Sequence, residues 1–493
     1  MTRAGELVMV DVRGTALDES QRAFLRDNGI RAVVLFRHNL GSAAEIHALT
    51  ADLRDVLGQR ALIGIDQEGG AVIRATSVPQ APSAMALGAA GDERLAEDVG
   101  AAVARGLRSL GFNWNFAPVL DVNSNPANPV IAERSFGADP HHVARLAGAW
   151  MRGALREGVA SCVKHFPGHG DTQVDSHHAL PVVDKARAEL DELELAPFHA
   201  LRAAAPAIMS AHILYPRIDP MHPATLSRAI LGDLLRDEWG YDGVVITDSL
   251  VMRAIHDRYG HERASVLALA AGADMAMALG DPAQQQQAVV AIDAALANGA
   301  LSEAALDRSR ERLDALAARY PVAVAPYDHA TRAADDALMR NAWARGLTAL
   351  RGARPPARDR ALRIVTQRVV RGDGVSEPGP SGDDVATLFA TFPHAEIVQV
   401  DDLMSLYDCT FRRDGATVVL ASNIRPRYEA AARRFTPDLH LALWNPFHAL
   451  DFAVPTVVTW GYAEGAFAAL CAWLEGRAGA PGRAPVPLER EER

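Results

Sequence analysis

AVVLFRHNLGSAAEIHALTADLRDVLGQRALIGID (residues 32–66) reads as a complete β–α–β unit. It opens on AVVLFR (32–37) and closes on ALIGID (61–66), apolar runs without polar alternation. Such runs fit strands buried on both faces, the habit of parallel sheets. Between them, SAAEIHALTADLRDVLG (42–58) repeats apolar residues at i, i+3 and i+4 and stops on Gly58. That is the pattern of an amphipathic helix with a glycine C-cap.

The same alternation extends in both directions. Upstream lies LVMVDV (7–12). Downstream follow FNWNFAP (112–118), VASCVKHF (159–166), AIMSAHI (207–213), GVVITD (243–248) and ADMAMAL (273–279), most of them separated by helix-length segments. Eight strands with intervening helices predict a closed (β/α)₈ barrel of the TIM type, an open doubly wound sheet being the alternative. Two further helical patterns, DPAQQQQAVVAIDAALANG and SEAALDRSRERLDALAARY, complete this part. Beyond it, the strand-like runs LRIVTQRVV, ATVVLAS, LHLALWN and PTVVTWG alternate with helical stretches and surround RGDGVSEPGPSGDD (371–384), which reads as a flexible loop. The expected organisation is an α/β chain: a catalytic barrel over 1–325, a linker over 326–339, and a smaller α/β sandwich domain over 340–493 with an irregular, frayed tail.

Composition narrows the function. With 50 basic and 61 acidic residues the net charge is −11, which argues against nucleic acid or an anionic membrane as partner. Cys162, Cys409 and Cys471 lie far apart, so neither a disulfide framework nor a CxxC metal pair is expected. The first twenty residues hold no long apolar segment, and the expected location is the reducing cytoplasm. Only Lys164 and Lys185 among the basic residues are lysine. A lysine that survives such a skew is worth inspecting, and Lys164 stands at a strand end, whereas Lys185 lies in a polar helix start to which no role attaches.

In a (β/α)₈ barrel the chemistry sits at the C-terminal ends of the strands. Those ends carry Asp66, followed by Gln67 and Glu68; Asp121, leading into a loop with Asn123, Asn125, Asn128 and Arg134; Lys164 and His165; His212; and Asp248. Such a convergence suits a ligand with many hydroxyls or one charged group. The densest feature is KHFPGHGDTQVDSHHAL (164–180), with four His and two Asp in seventeen residues. It reads as a solvated loop, as a metal site built from His165, His169, Asp171, Asp175 and His177, or as an acid/base pair formed by Asp175 and His177. In extended chain, positions i and i+2 face one side, and a carboxylate beside an imidazole orients it and stabilises its protonated form. Asp248 reads either as a helix N-cap or as a nucleophilic or charge-stabilising carboxylate on a rigid strand end. A carboxylate opposite a proton donor cleaves glycosidic bonds with retention.

Five segments carry a resemblance: IDQEGGAVIR (65–74), FAPVLDVNSNPANPVIAERSFG (116–137), KHFPGHGDTQVDSHHALP (164–181), MSAHILYP (209–216) and GVVITDSLVM (243–252). Over roughly residues 5–320 the chain resembles glycoside hydrolase family 3 in its β-N-acetylhexosaminidase (NagZ-type) branch. The resemblance implies that Asp248 is the catalytic nucleophile and His177 the acid/base, with Asp175 its partner. It implies that Asp66, Arg74, Arg134, Lys164 and His165 bind the sugar, and that no metal or organic cofactor is needed. Ala71 departs from the family, in which arginine often follows EGG. The implied activity is retaining exo-hydrolysis of terminal GlcNAc from β-glycosides, with muropeptides derived from peptidoglycan as the bacterial substrate. A phosphorylase on the same fold and a broader β-glucosidase are the alternatives; the latter often takes its acid/base from the second domain, where no such carboxylate is evident.

Overall fold

A computed structural model describes residues 4–406 and 415–489. Cys409 lies outside the described residues; Cys162 and Cys471 are free thiols.

Eight parallel strands form the first sheet: β1 (Val8–Asp11), β2 (Ala32–Leu35), β3 (Leu62–Ile65), β4 (Trp114–Asn115), β5 (Ala160–Phe166), β6 (Ala207–Ser210), β7 (Val244–Thr247) and β8 (Ala276–Met277). They are ordered β8-β1-β2-β3-β4-β5-β6-β7. An Ile246–Met275 bridge and the bond from the Thr247 amide to the Met275 carbonyl join the two ends into a barrel. The continuous apolar runs have their physical counterpart in burial: β2, β3, β5, β6 and β7 are buried at every position. The helix of the opening β–α–β unit spans Ala43–Leu57, starts on a Ser42–Glu45 capping box and stops at Gly58, whose φ of +82° suits only glycine well.

The fourth and eighth strands are shorter than their apolar runs. After Asn115 the chain leaves the sheet, and polar groups take over the register. Asn115 Oδ1 accepts from the Gln67 amide and Asn115 Nδ2 donates to the Gln67 carbonyl, both at 3.0 Å. The head of the long loop after β3 is thereby pinned to β4.

The second sheet has six strands: β9 (Thr348–Leu350), β10 (Leu362–Gln367), β11 (Ala395–Val400), β12 (Thr417–Ser422), β13 (Leu439–Ala442) and β14 (Thr456–Val458). Its order is β9-β14-β13-β12-β10-β11, parallel except for the β9–β14 pair. Strands β9 and β11 are absent from the apolar runs of the sequence. Both are edge strands, and every residue of β11 remains at least partly exposed, so neither needs a continuous apolar stretch.

Two stretches in the second part of the chain take their order from their neighbours. Most of the stretch read as a linker over 326–339 lies in a helix, His329–Gly346, capped by Asp328. It is held because Asp335 is buried against Arg105 and Tyr327, and because Trp343 enters an apolar cluster with Met85, Ala86, Phe447 and Trp460. The tail is irregular but not frayed up to residue 489. The Arg483 amide donates to Ala89 and the Ala138 amide to Pro485, while Val486 and Leu488 are buried. These contacts fasten the second domain to the barrel wall. Among the described residues, no helix is long and apolar enough to cross a membrane.

Candidate active site

A cavity of about 100 Å³ opens at the C-terminal ends of the barrel strands. Asp66, Arg74, Arg134, Lys164, His165, His177 and Asp248 all line it. Of the site positions expected from the sequence, all but Asp175 therefore reach one cavity, and Asp175 stands directly behind His177. A larger cleft, about 810 Å³, lies at the opposite end of the barrel, around Pro206, Tyr241 and Arg312, and holds none of these residues.

One side of the cavity is an ion cluster. Lys164 Nζ donates to Asp66 Oδ1 at 2.6 Å and lies 2.6 Å from Glu68 Oε1. Arg134 donates through Nε and Nη2 to the two oxygens of Glu68, both at 2.9 Å. Burial opposes charge on Glu68, but Arg134 and Lys164 overcome it and hold the carboxyl well below the usual range. Burial likewise works against the Lys164 ammonium, and Asp66 and Glu68 more than reverse that, so its pKa rises. Glu68, Arg134 and Lys164 are thus held in their charged forms, with planar and compact donors fixed side by side.

A second network orients His165. Asp121, fully buried, accepts from His165 Nδ1 at 2.6 Å and from the amides of His165 and His169 at 3.1 and 2.7 Å. Burial would raise the Asp121 carboxyl, yet the two imidazoles and the amide bonds lower it. A carboxylate can only accept, so His165 carries its proton on Nδ1, and Nε2 faces Arg134 Nη2 at 3.4 Å.

The loop after β5 brings the remaining pair. His177 Nδ1 is 2.8 Å from Asp175 Oδ1, which also accepts the His177 amide at 2.9 Å. Burial opposes both charges, but their mutual contact lowers the Asp175 carboxyl to about 2 and raises the His177 imidazole above its ordinary value. The ionised Asp175 fixes the proton on Nδ1. Asp248, at the end of β7, accepts from the Ser249 amide at 2.7 Å. Burial pushes this carboxyl up; His212, His165 and His177 push harder the other way, and it ends below its ordinary value.

His212 is not a pocket group. Its Nδ1 meets Thr225 Oγ1 and its Nε2 donates to the Ser249 carbonyl, both at 2.9 Å, which braces the turn after Asp248. His169 spends its two nitrogens on Thr172 and Ser176. Asp171 pairs with Lys185, which also holds Glu194, so the second lysine anchors the base of the loop. Among the described residues, no group of three or more His, Cys, Asp or Glu is arranged to hold a metal ion.

Three features escaped the sequence reading. Glu68 joins Lys164 to Arg134, although its position in IDQEGG was the available signal. Arg74 lines the cavity, but its guanidinium donates to Glu377 at 2.8 Å and to the Val375 carbonyl at 2.6 Å, both on the second domain. The loop over 371–384, read as flexible, brings Gly374 and Val375 to the cavity wall. Ala71 is buried among second-domain residues that include Val370 and Trp444, and its carbonyl accepts the Glu377 amide.

Residues 2–316 match the family model described as glycosyl hydrolase family 3 N terminal domain. A curated relative named Beta-hexosaminidase, from Chromobacterium violaceum (strain ATCC 12472), is 38% identical over 293 residues, covering 58% of this chain and 82% of that protein. A solved glycoside hydrolase family 3 β-N-acetylglucosaminidase from Paenibacillus sp. str. FPU-7 is similar along both domains: 33% identity, TM-score 0.85, 98% of each chain covered. A beta-glucoside phosphorylase is 21% identical with a TM-score of 0.83 over 98% of this chain and 93% of its own, a likeness of fold.

Proposed function

The chain belongs to glycosyl hydrolase family 3 and is a glycoside hydrolase; from that premise we propose that it releases terminal GlcNAc from β-glycosides with retention of configuration. The observation that carries this reading is the pairing, in one cavity, of an ionised carboxylate on β7 with an imidazole held by Asp175.

In the first step Asp248 attacks the anomeric carbon while His177 Nε2 gives its proton to the departing oxygen. The covalent glycosyl-enzyme forms as the aglycone leaves as an alcohol. In the second step neutral His177 takes a proton from water, the water oxygen attacks the anomeric carbon, and the Asp248 carboxylate is released. Asp175 holds the imidazole and stabilises its charge in each half of the cycle. Asp66 accepts from ring hydroxyls, while Lys164, Arg134 and His165 supply the neighbouring polar contacts; Arg74 borders the same cavity. We propose cytoplasmic cell-wall fragments bearing terminal GlcNAc as the natural substrates.

The test is a panel of aryl β-glycosides, including GlcNAc and glucose, assayed with and without phosphate. The expected result is free GlcNAc as the product and a strong preference over glucose. Sugar 1-phosphate in place of free sugar would identify a phosphorylase; a preference for glucose would identify a β-glucosidase.

A further inference from the structure

Among the described residues, the second domain reaches the cavity at Gly374 and Val375, and that place has a direction. Segment Asp373–Glu377 is fastened at both ends. Arg425 pairs with Asp373, donates to Ser376 Oγ at 2.6 Å and to the Val130 carbonyl at 2.7 Å. At the other end Glu377 pairs with Arg74 at 2.8 Å, and its amide donates to Ala71 at 2.9 Å. Between these anchors Val375 packs with Val72, Val130 and Ile131, an apolar patch drawn from the loops after β3 and β4.

This patch adjoins the ion cluster. The Val130 carbonyl that accepts from Arg425 also accepts from Arg134 Nη1 at 3.1 Å. Asp248 directly follows β7, four strands round the barrel from β3. The segment therefore covers the side of the cavity opposite the attacking carboxylate. In a pyranose the carbon opposite C1 is C4. With C1 at Asp248, a sugar attached through O4 would have to leave the cavity where Gly374 and Val375 form its wall.

We propose that Asp373–Glu377 is a specificity wall that restricts the enzyme to one terminal sugar with a free 4-hydroxyl. The proposal rests on the glycosidase reading above. Gly374 and Val375 are the wall itself, and Asp373 and Glu377 are positioning residues that hold it. An enzyme of this family thereby takes its exo-selectivity from a domain that supplies none of the groups assigned to the chemistry.

The experiment compares aryl β-GlcNAc with aryl β-chitobioside and reads direct release of the disaccharide by chromatography. Wild type should release GlcNAc from both and no disaccharide. The Asp373→Ala/Glu377→Ala double variant, which unties the wall, should release disaccharide directly, with a ratio of disaccharide to monosaccharide kcat/KM at least about tenfold above the detection limit set by wild type; a change in pocket fit is expected to act on this scale. Val375→Gly, which keeps both anchors, should raise the ratio by a smaller factor and guards against misfolding of the double variant. Direct disaccharide release by wild type, or an unchanged ratio in whichever variants fold, would overturn the wall while leaving the glycosidase reading intact. Failure of wild type to cleave the monosaccharide glycoside would instead sink that reading, and the wall with it.

Discussion

The two sides of the cavity are built differently. On the β3–β5 side, Asp66, Glu68, Arg134 and Lys164 interlock through contacts of 2.6–2.9 Å, and Arg134 and Lys164 are buried. On the opposite side, Asp248 and His177 remain partly exposed to the cavity, and His177 holds one ring nitrogen against Asp175; on the proposed reading the other serves the chemistry. A binding side gains from rigidity, because hydroxyl recognition depends on donors fixed in advance. A reacting side must leave a nucleophile and a proton carrier with unsatisfied capacity. Replacing a group should accordingly cost most on the reacting side and register mainly in substrate positioning on the binding side.

The largest effect is expected at Asp248. Asp248→Ala should fold normally, since the group is not part of the ion cluster, and lose roughly 10⁴-fold or more in kcat. Peptide mass analysis after reaction with a mechanism-based fluoro-sugar should place the label on this residue in wild type. Near-normal turnover of the variant, or a label elsewhere, would remove it from the reacting side.

Lys164→Arg probes the binding side. The ammonium serves two carboxylates at once from a buried point, and a planar fork cannot occupy it without moving Asp66 or Glu68. Slower turnover and weaker binding are expected, about 10²-fold together in kcat/KM. Equality with wild type would mean that the lysine is no more than a chance survivor of the arginine skew.

Asp175→Ala sharpens the comparison through pH. The carboxylate raises the His177 pKa, so its removal lowers it. The proton donor is active below that pKa, so the alkaline limb of kcat/KM should move to lower pH. The acid limb, set by Asp248 below the ordinary carboxylate range, should stay in place. An unmoved alkaline limb would separate Asp175 from the acid/base function.

How much of this is legible in the chain depends on the distance over which each feature is specified. The barrel strands are local: each apolar run carries its own burial signal. Asp66, Lys164, His165 and Asp248 could be picked out because they stand at the C-terminal ends of such runs. Asp175 and His177 could be paired because only Ser176 stands between them. The Glu68–Arg134 pair spans 66 residues, and nothing local marks it. The wall is less legible still. RGDGVSEPGPSGDD has the composition of a solvated loop, and it is ordered by contacts such as Arg74 to Val375, 301 residues apart. The linker helix and the docked tail follow the same rule, since their order comes from the other domain.

The central claim is that His177 transfers the proton to and from a sugar carried by Asp248, and azide rescue of His177→Gly tests it most directly. Without the imidazole, an aryl substrate with a very acidic phenol should still form the glycosyl-enzyme, and the intermediate should accumulate as a burst because no base remains for water. Azide attacks without losing a proton. The account predicts that azide raises the turnover of the variant and yields a β-glycosyl azide. No rescue, or an azide of inverted configuration, would contradict it.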